Sequence, residues 1–360
     1  MSLDFSQYGG PSDEWLEIQK TLPALTFNTD LDPIVLRNAV NKEREERTAA
    51  GMKFLAAHVH TTDYTIPTRD GSTIEARSYR SIKTGKGEKL PVYIYFHGGG
   101  FIFGSIGSED FVCAQTAINT GVLVVNVNYR HTPEHTFPTA WNDSQDAFVW
   151  VHKNIDELSG DASKVLVGGV SAGGQLAASL TLEKHLGKSE VMNGLPDLAG
   201  QVLIIPCLSS PETYEEGPGS KLAPGKSSYI ENEHAPILPK KTMEFFTALL
   251  KTPKVDLRDT KINIVNATEE QVRGLPPTVF GIAGLDPLRD EALLYAKLLA
   301  EENVPTEIRL FKGVPHGHRR FGKALKASDH WDECVDQGIL WALSKPQATG
   351  KFEVKLPHLM

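Results

Sequence analysis

Apolar positions along the chain fall into two rhythms. Short apolar or alternating runs at Thr61–Thr68, Thr73–Tyr79, Val92–Phe96, Val122–Val127, Val165–Gly168, Val202–Ile205, Thr278–Ile282 and Glu307–Phe311 predict eight strands. The first two alternate polar with apolar and are joined by Arg69-Asp70-Gly71, a hairpin signal. The other six are almost continuously apolar. Segments with helical spacing lie among them at about 109–120, 141–155, 174–187, 240–251, 288–302 and 328–343. Continuous apolar strands alternating with helices predict a mostly parallel sheet covered on both faces, with the hairpin as its antiparallel edge.

Three stretches stand outside this alternation. Residues 1–55 read as charged and helical, with one helix capped by Ser12 and carrying Trp15, Ile18 and Leu22, and a second from Asp32 to His58 carrying Val35, Leu36, Val40, Met52 and Leu55. Residues 208–265 lack a strand; Pro211 to Pro239 is rich in Gly, Pro, Ser and Glu and runs into a helix at Lys240. An insertion of this size at one edge of the sheet predicts a lid. We therefore expect a catalytic domain at 56–207 and 266–345, a cap from 1–55 and 208–265, and a tail at 346–360. Within the tail, Lys351–Leu356 alternates like an edge strand, to dock on its own chain or on the second subunit of a homodimer.

Composition narrows the function. The chain has 360 residues, enough for one large α/β domain and a cap, and it is 40% hydrophobic and 23% charged. A net charge of −8 with no basic cluster in sequence argues against a nucleic-acid partner. Cys113, Cys207 and Cys334 are far apart, without metal spacing or a disulfide framework, and fit free thiols in a reducing compartment. The first residues lack a basic start followed by an apolar stretch, and no apolar run reaches the roughly 20 residues of a membrane span. The cytoplasm is the expected location.

The chemistry sits in four segments at predicted strand ends. Gly169-Val170-Ser171-Ala172-Gly173 lies between the Val165 strand and an alanine-rich helix, so Ser171 occupies a turn too tight for bulky neighbours, at the amide-rich start of a helix. His97-Gly98-Gly99-Gly100-Phe101 follows the Val92 strand; its glycines bring backbone amides close to a substrate oxygen, as an oxyanion hole needs, with Ala172 completing it. Asp286 follows the Thr278 strand, ahead of Pro287, and is a candidate acid as well as a candidate helix cap, with Asp290 one turn further as a stabiliser of the helix start. After the last strand, Pro315-His316-Gly317-His318 supplies the base; His316, between proline and glycine, is favoured over His318. The order Ser171, Asp286, His316 differs from the orders of the chymotrypsin and subtilisin types.

On these residues the chain resembles the hormone-sensitive-lipase-like esterases of the α/β-hydrolase superfamily, over about residues 60–345. Besides the segments above, the resemblance is carried by Tyr129-Arg130-His131-Thr132-Pro133-Glu134-His135-Thr136-Phe137-Pro138, Leu275-Pro276-Pro277-Thr278 and Asp286-Pro287-Leu288-Arg289-Asp290-Glu291. It implies an α/β-hydrolase fold, an eight-stranded, mostly parallel sheet with flanking helices and a helical cap. It also implies carboxylic-ester hydrolysis without a cofactor or metal. Ser171, Asp286 and His316 become the triad; Gly99, Gly100 and Ala172 the oxyanion donors; His97 and Gly98 supports; and Glu134 a carboxylate packed beneath the turn that carries the serine. Two positions depart from the family pattern: Val170 stands where Asp or Thr is usual, and His318 where Phe is common, which puts a polar ring near the base.

The reaction expected is attack of Ser171 on a small-molecule ester through an acyl-enzyme. Lactone, amide or acyl-transfer chemistry uses the same triad, and a non-catalytic receptor uses the same fold. The cap carries Trp15, Phe27, Tyr214, Tyr229, Phe245 and Phe246 as candidates for the pocket or for ordinary packing. Without an amphipathic lid in the sequence, short to medium acyl chains are expected.

Overall fold

The computed structural model describes residues 2–22, 31–85 and 87–357; Phe27 lies outside them. Nine strands form one sheet: β1 (Val59–Pro67), β2 (Thr73–Ser81), β3 (Leu90–Phe96), β4 (Leu123–Asn128), β5 (Gly160–Val170), β6 (Gly200–Ile204), β7 (Thr278–Leu285), β8 (Thr306–Pro315) and β9 (Val354–Lys355), in the order β1-β2-β4-β3-β5-β6-β7-β8-β9. β2 is antiparallel to both β1 and β4, and every pair from β4 to β9 is parallel. The hairpin edge and the parallel body stand as the hydrophobic pattern predicts. The eight predicted strands are present, and the ninth comes from the tail: Val354 and Lys355 pair with Ile308 and Arg309 of the same chain. The Nζ of Lys355 also donates to Glu307.

The helices are α1 (Asp13–Thr21), α2 (Pro33–Leu55), α3 (Ile106–Thr120), α4 (Thr139–Lys153), α5 (Ala172–His185), α6 (Ser228–Glu231), α7 (Lys240–Leu250), α8 (Glu269–Val272), α9 (Arg289–Glu301) and α10 (Lys326–Leu343). Burial explains why the parallel strands lack alternation: every residue of β6 and β7 is buried, because helices cover both sheet faces. The edge strand β1 keeps its polar residues exposed.

Local chemistry sets the helix starts. Asp32 accepts from the amides of Ile34 and Val35, with Pro33 in the first turn of α2. Ser105 and Ser108 form a reciprocal cap at the start of α3. Of α2's 23 residues only Leu36 is buried; it joins Ile102 and Phe103, with Val40, Phe245, Phe246 and Leu249 packed around them. α2 and α7 thus meet over the loop that follows β3. α1 docks elsewhere: Trp15 is fully buried, packs on Phe321, and sits where Ser12 donates to the Gly313 carbonyl of β8.

Candidate active site

β5 ends at Val170 and α5 begins at Ala172, so Ser171 alone makes the turn, at φ 56° and ψ −116°. Such a backbone is costly for a residue with a side chain, and it persists because its surroundings dictate it. A Cβ on Gly173 would lie 2.0 Å from the Phe96 carbonyl oxygen, so the helix approaches β3 only with glycine there. The Cys207 amide donates to the Ser171 carbonyl, fixing the turn from the β6 side.

Three side chains from three strand ends converge on this turn. The Nε2 of His316 lies 3.0 Å from Ser171 Oγ, and its Nδ1 lies 2.7 Å from Asp286 Oδ2. Asp286 is buried at 1% exposure, and its other oxygen accepts from the Leu288 amide. The Asn232 side chain donates to the Asp286 carbonyl. The structure therefore brings together the three residues that the sequence pattern selects.

The glycine loop crosses the serine turn closely: a Cβ on Gly98 would sit 2.8 Å from the Val170 carbonyl oxygen. Gly99 stands at φ 142° and Gly100 at φ 62°. His97 is fully buried, stacks on Tyr129 at 4.4 Å, and accepts through its carbonyl from the Tyr129 hydroxyl. Its Nε2 lies 3.3 Å from that of His131. Burial pushes the His97 imidazole down to about 3 and holds His131 well below its ordinary value, so the pair is neutral and one ring donates to the other.

Helix α2 holds the loop from above. Asn41 Nδ2 donates to the Gly104 carbonyl while the Gly104 amide donates to Asn41 Oδ1. Arg44 Nη1 donates to the Gly98 carbonyl, and Arg37 to the Thr132 carbonyl. These anchors are not legible in the sequence, where Asn41 and Arg44 look like the solvated face of a charged helix.

Two readings of the sequence are corrected. Glu134 is not packed beneath the serine turn; its side chain is 40% exposed and forms a two-pronged pair with Arg37. The distant arginine draws the carboxylate to the surface. His318 does not reach the pocket: its fully buried ring packs against Phe311 and Trp331. The chain leaves β8 at Pro315 and turns into a 3-10 helix at His318, which aims that ring inward.

The buried carboxyl beside the triad is Glu291. It accepts from the Leu208 amide and the Tyr229 hydroxyl, and burial pushes it up to about 8. It is therefore mostly neutral at pH 7, close to Asp286 without adding a second charge. Asp290 pairs with Arg289 and accepts from the Ser228 amide, tying α6 to the start of α9.

A cavity of about 60 Å³ opens beside Ser171. Its walls are mainly apolar, with Trp141, Met243, Phe246, Leu250 and Leu288 prominent, and Gly100, Ala172 and Cys207 border the serine. Burial, then the neighbouring Glu291, raises the Cys207 thiol, which stays protonated. Among the described residues no cluster of His, Cys, Asp or Glu is arranged to hold a metal ion, and no helix is long and apolar enough to cross a membrane.

Comparison with known proteins agrees with this fold. Residues 93–319 match a family described as the alpha/beta hydrolase fold. An esterase of Mycobacterium tuberculosis, LipI, is 31% identical over 252 residues, 70% of this chain and 72% of its own. The solved structure of a hyperthermophilic esterase from Pyrobaculum calidifontis superposes with a TM-score of 0.72 at 33% identity, covering 93% of this chain and 98% of that one. A vibralactone cyclase structure superposes with a TM-score of 0.82 at 26% identity, covering 96% and 99%. The chain belongs to the alpha/beta hydrolase carboxylesterase family and is a carboxylic ester hydrolase acting on small-molecule esters.

Proposed function

We propose that Ser171 is the nucleophile, His316 the general base and Asp286 the acid that orients it. The observation that carries the assignment is the unbroken chain of two hydrogen bonds from Ser171 Oγ through the His316 ring to Asp286. His316 Nε2 takes the serine proton as Oγ attacks the ester carbonyl, and Asp286 holds the ring by Nδ1–H and offsets the imidazolium charge. The amides of Gly99, Gly100 and Ala172 receive the tetrahedral oxyanion, each donor being worth about 3 kcal/mol. His316 then protonates the leaving alcohol, and a water molecule that it activates releases the acid from Ser171.

We read residues 1–55 and 208–265 as a cap over a catalytic domain of 56–207 and 266–345, with the tail at 346–360 beside it. The packing of α2 and α7 around Ile102 and Phe103 supports this. We assign short to medium acyl chains. At about 10–15 Å³ for each water-sized sphere, the cavity holds about four to six of them, the room of a short acyl group. The free thiols of Cys113, Cys207 and Cys334 support a cytoplasmic setting.

The test is hydrolysis of p-nitrophenyl esters from acetate to laurate by the wild type and Ser171→Ala. Turnover that is greatest for short chains and lost in the variant supports the assignment; equal turnover in both overturns the role of Ser171. A second reading, lactone-directed or acyl-transfer chemistry on the same residues, draws support from the likeness to a cyclase. Ester consumed without a matching release of free acid would favour it.

A further inference from the structure

The apolar cavity borders Ser171, while arginines stand beside Gly98 of the glycine loop and Gly317, the residue after His316. Arg44 donates to the Gly98 carbonyl, next to the loop that carries Gly99 and Gly100, and its guanidinium lies over the Phe103 ring at 5.8 Å. Arg47 follows one helical turn later on the same face of α2, its side chain 55% exposed and its charge shared with Glu43 at 3.4 Å. Arg320 comes from the opposite direction, on the 3-10 helix after His316; its Nη2 lies 3.7 Å from where a Cβ on Gly317 would stand, so it overhangs the residue next to the catalytic base.

The charges of Arg44 and Arg47 both act on the Arg320 guanidinium, in a chain whose net charge is −8. Crowding by protein atoms, then the charges of Arg44 and Arg47, pulls the Arg320 guanidinium down to about 10, although the residue as a whole remains exposed. Glu43 is the carboxylate facing Arg320, and Glu109 the one facing Arg44. Glu109 is already engaged by the Tyr95 and Ser108 hydroxyls, and Glu43 by Arg47. Among the described residues the Arg320 guanidinium has neither a hydrogen bond nor an ion pair, while the neighbouring Arg319 is satisfied by Asp332. Three guanidiniums grouped beside Gly98 of the glycine loop and Gly317 next to His316, one with its donors unspent, make a receptor for an anion.

We propose that the alcohol half of the natural ester carries a carboxylate, which Arg320 binds with Arg44 and Arg47 behind it while the acyl group enters the apolar cavity. The inference rests on the triad assignment above. It divides the site into an apolar acyl side, at Gly100 and Leu288, and a cationic leaving-group side, at Gly98 and Gly317.

The experiment compares 4-acetoxybenzoate with 4-methylphenyl acetate, esters that share the acetyl group and differ in a carboxylate on the leaving group. The ratio of their kcat/KM values is measured for the wild type, Arg320→Gln and Arg320→Lys. The ratio should fall at least fivefold in Arg320→Gln and be partly retained in Arg320→Lys. Raising NaCl from 0.05 to 0.5 M should lower kcat/KM for the anionic ester more than for the neutral one. A ratio unchanged within twofold in Arg320→Gln, with both esters turned over, overturns this inference and leaves the triad standing. Failure of the wild type to hydrolyse either ester overturns both.

Discussion

Asn41 and Gly104 are joined by two reciprocal hydrogen bonds of 2.8 Å, the amide side chain meeting the backbone as a strand partner would. A residue 63 positions earlier in the chain therefore sets the far end of the loop that presents Gly99 and Gly100. Removing it leaves a partly buried N–H and C=O without their partner, a loss of about 1–3 kcal/mol. Asn41→Ala should lower kcat by about tenfold or more with a smaller effect on KM, because donors aimed at the transition state are displaced more than substrate contacts. Equal losses in both constants would show that α2 acts on binding instead.

Within the triad the expected losses are graded. Ser171→Ala should reduce kcat by on the order of 10⁶-fold. Asp286→Asn should cost roughly 10⁴-fold, since the amide presents the wrong partner to His316 Nδ1. Steady-state kinetics on p-nitrophenyl acetate, with circular dichroism to confirm folding, checks both.

The two central glycines of the loop should respond differently to alanine. At Gly99 the new methyl meets the Phe103 carbonyl oxygen at 2.3 Å, and backbone does not yield cheaply. At Gly100 it meets the ring of Phe246 at 2.3 Å, and a ring can turn aside or be trimmed. Gly99→Ala should be the more damaging. Adding Phe246→Ala should recover part of the activity of Gly100→Ala, the rest staying lost to a left-handed backbone at φ 62°, and none of that of Gly99→Ala, as parallel assays of the double variants will show.

Glu291 gives a pH dependence of stability. Its folded carboxyl, raised to about 8, keeps a proton that the unfolded chain releases near 4.5. The folded state thus binds more protons between those values, so its contribution is fully present below about pH 4.5 and is lost as pH rises towards 8. The melting temperature should decline over this range, and Glu291→Gln, which keeps an acceptor for Leu208 and a polar partner for Tyr229, should flatten the decline. A slope unchanged in Glu291→Gln would place the effect on other groups.

Phe246 and Met243 line the cavity and belong to α7. Met243→Ala enlarges the space that limits the acyl group and should move the best p-nitrophenyl ester towards longer chains. The ratio of kcat/KM for hexanoate to acetate is the measurement; an unchanged ratio would assign the acyl group elsewhere.

The sheet, its helices and the segments holding Ser171, Asp286 and His316 were legible because each depends on local periodicity or on turn residues at strand ends. Long-range partners were not. Nothing near Glu134 announces that Arg37 will draw it to the surface, and nothing near His318 states that Trp331 will close over its ring. α2 was readable as a helix, yet with Leu36 its single buried residue it gave little sign of where it docks. The tail read as an edge strand, and its docking site became visible only with β8 beside it.

That short strand, Val354–Lys355, has a consequence for association. It occupies part of the β8 margin, while at the opposite margin β1 exposes His60, Thr61, Thr62 and Asp63. Unpaired sheet margins are templates for strand addition between molecules, and proteins blunt them with short cover strands and charged or polar residues. An incoming strand would have to displace Val354 and Lys355 at one side or settle on a polar row at the other, so the folded enzyme resists the edge-to-edge stacking that begins many β-aggregates.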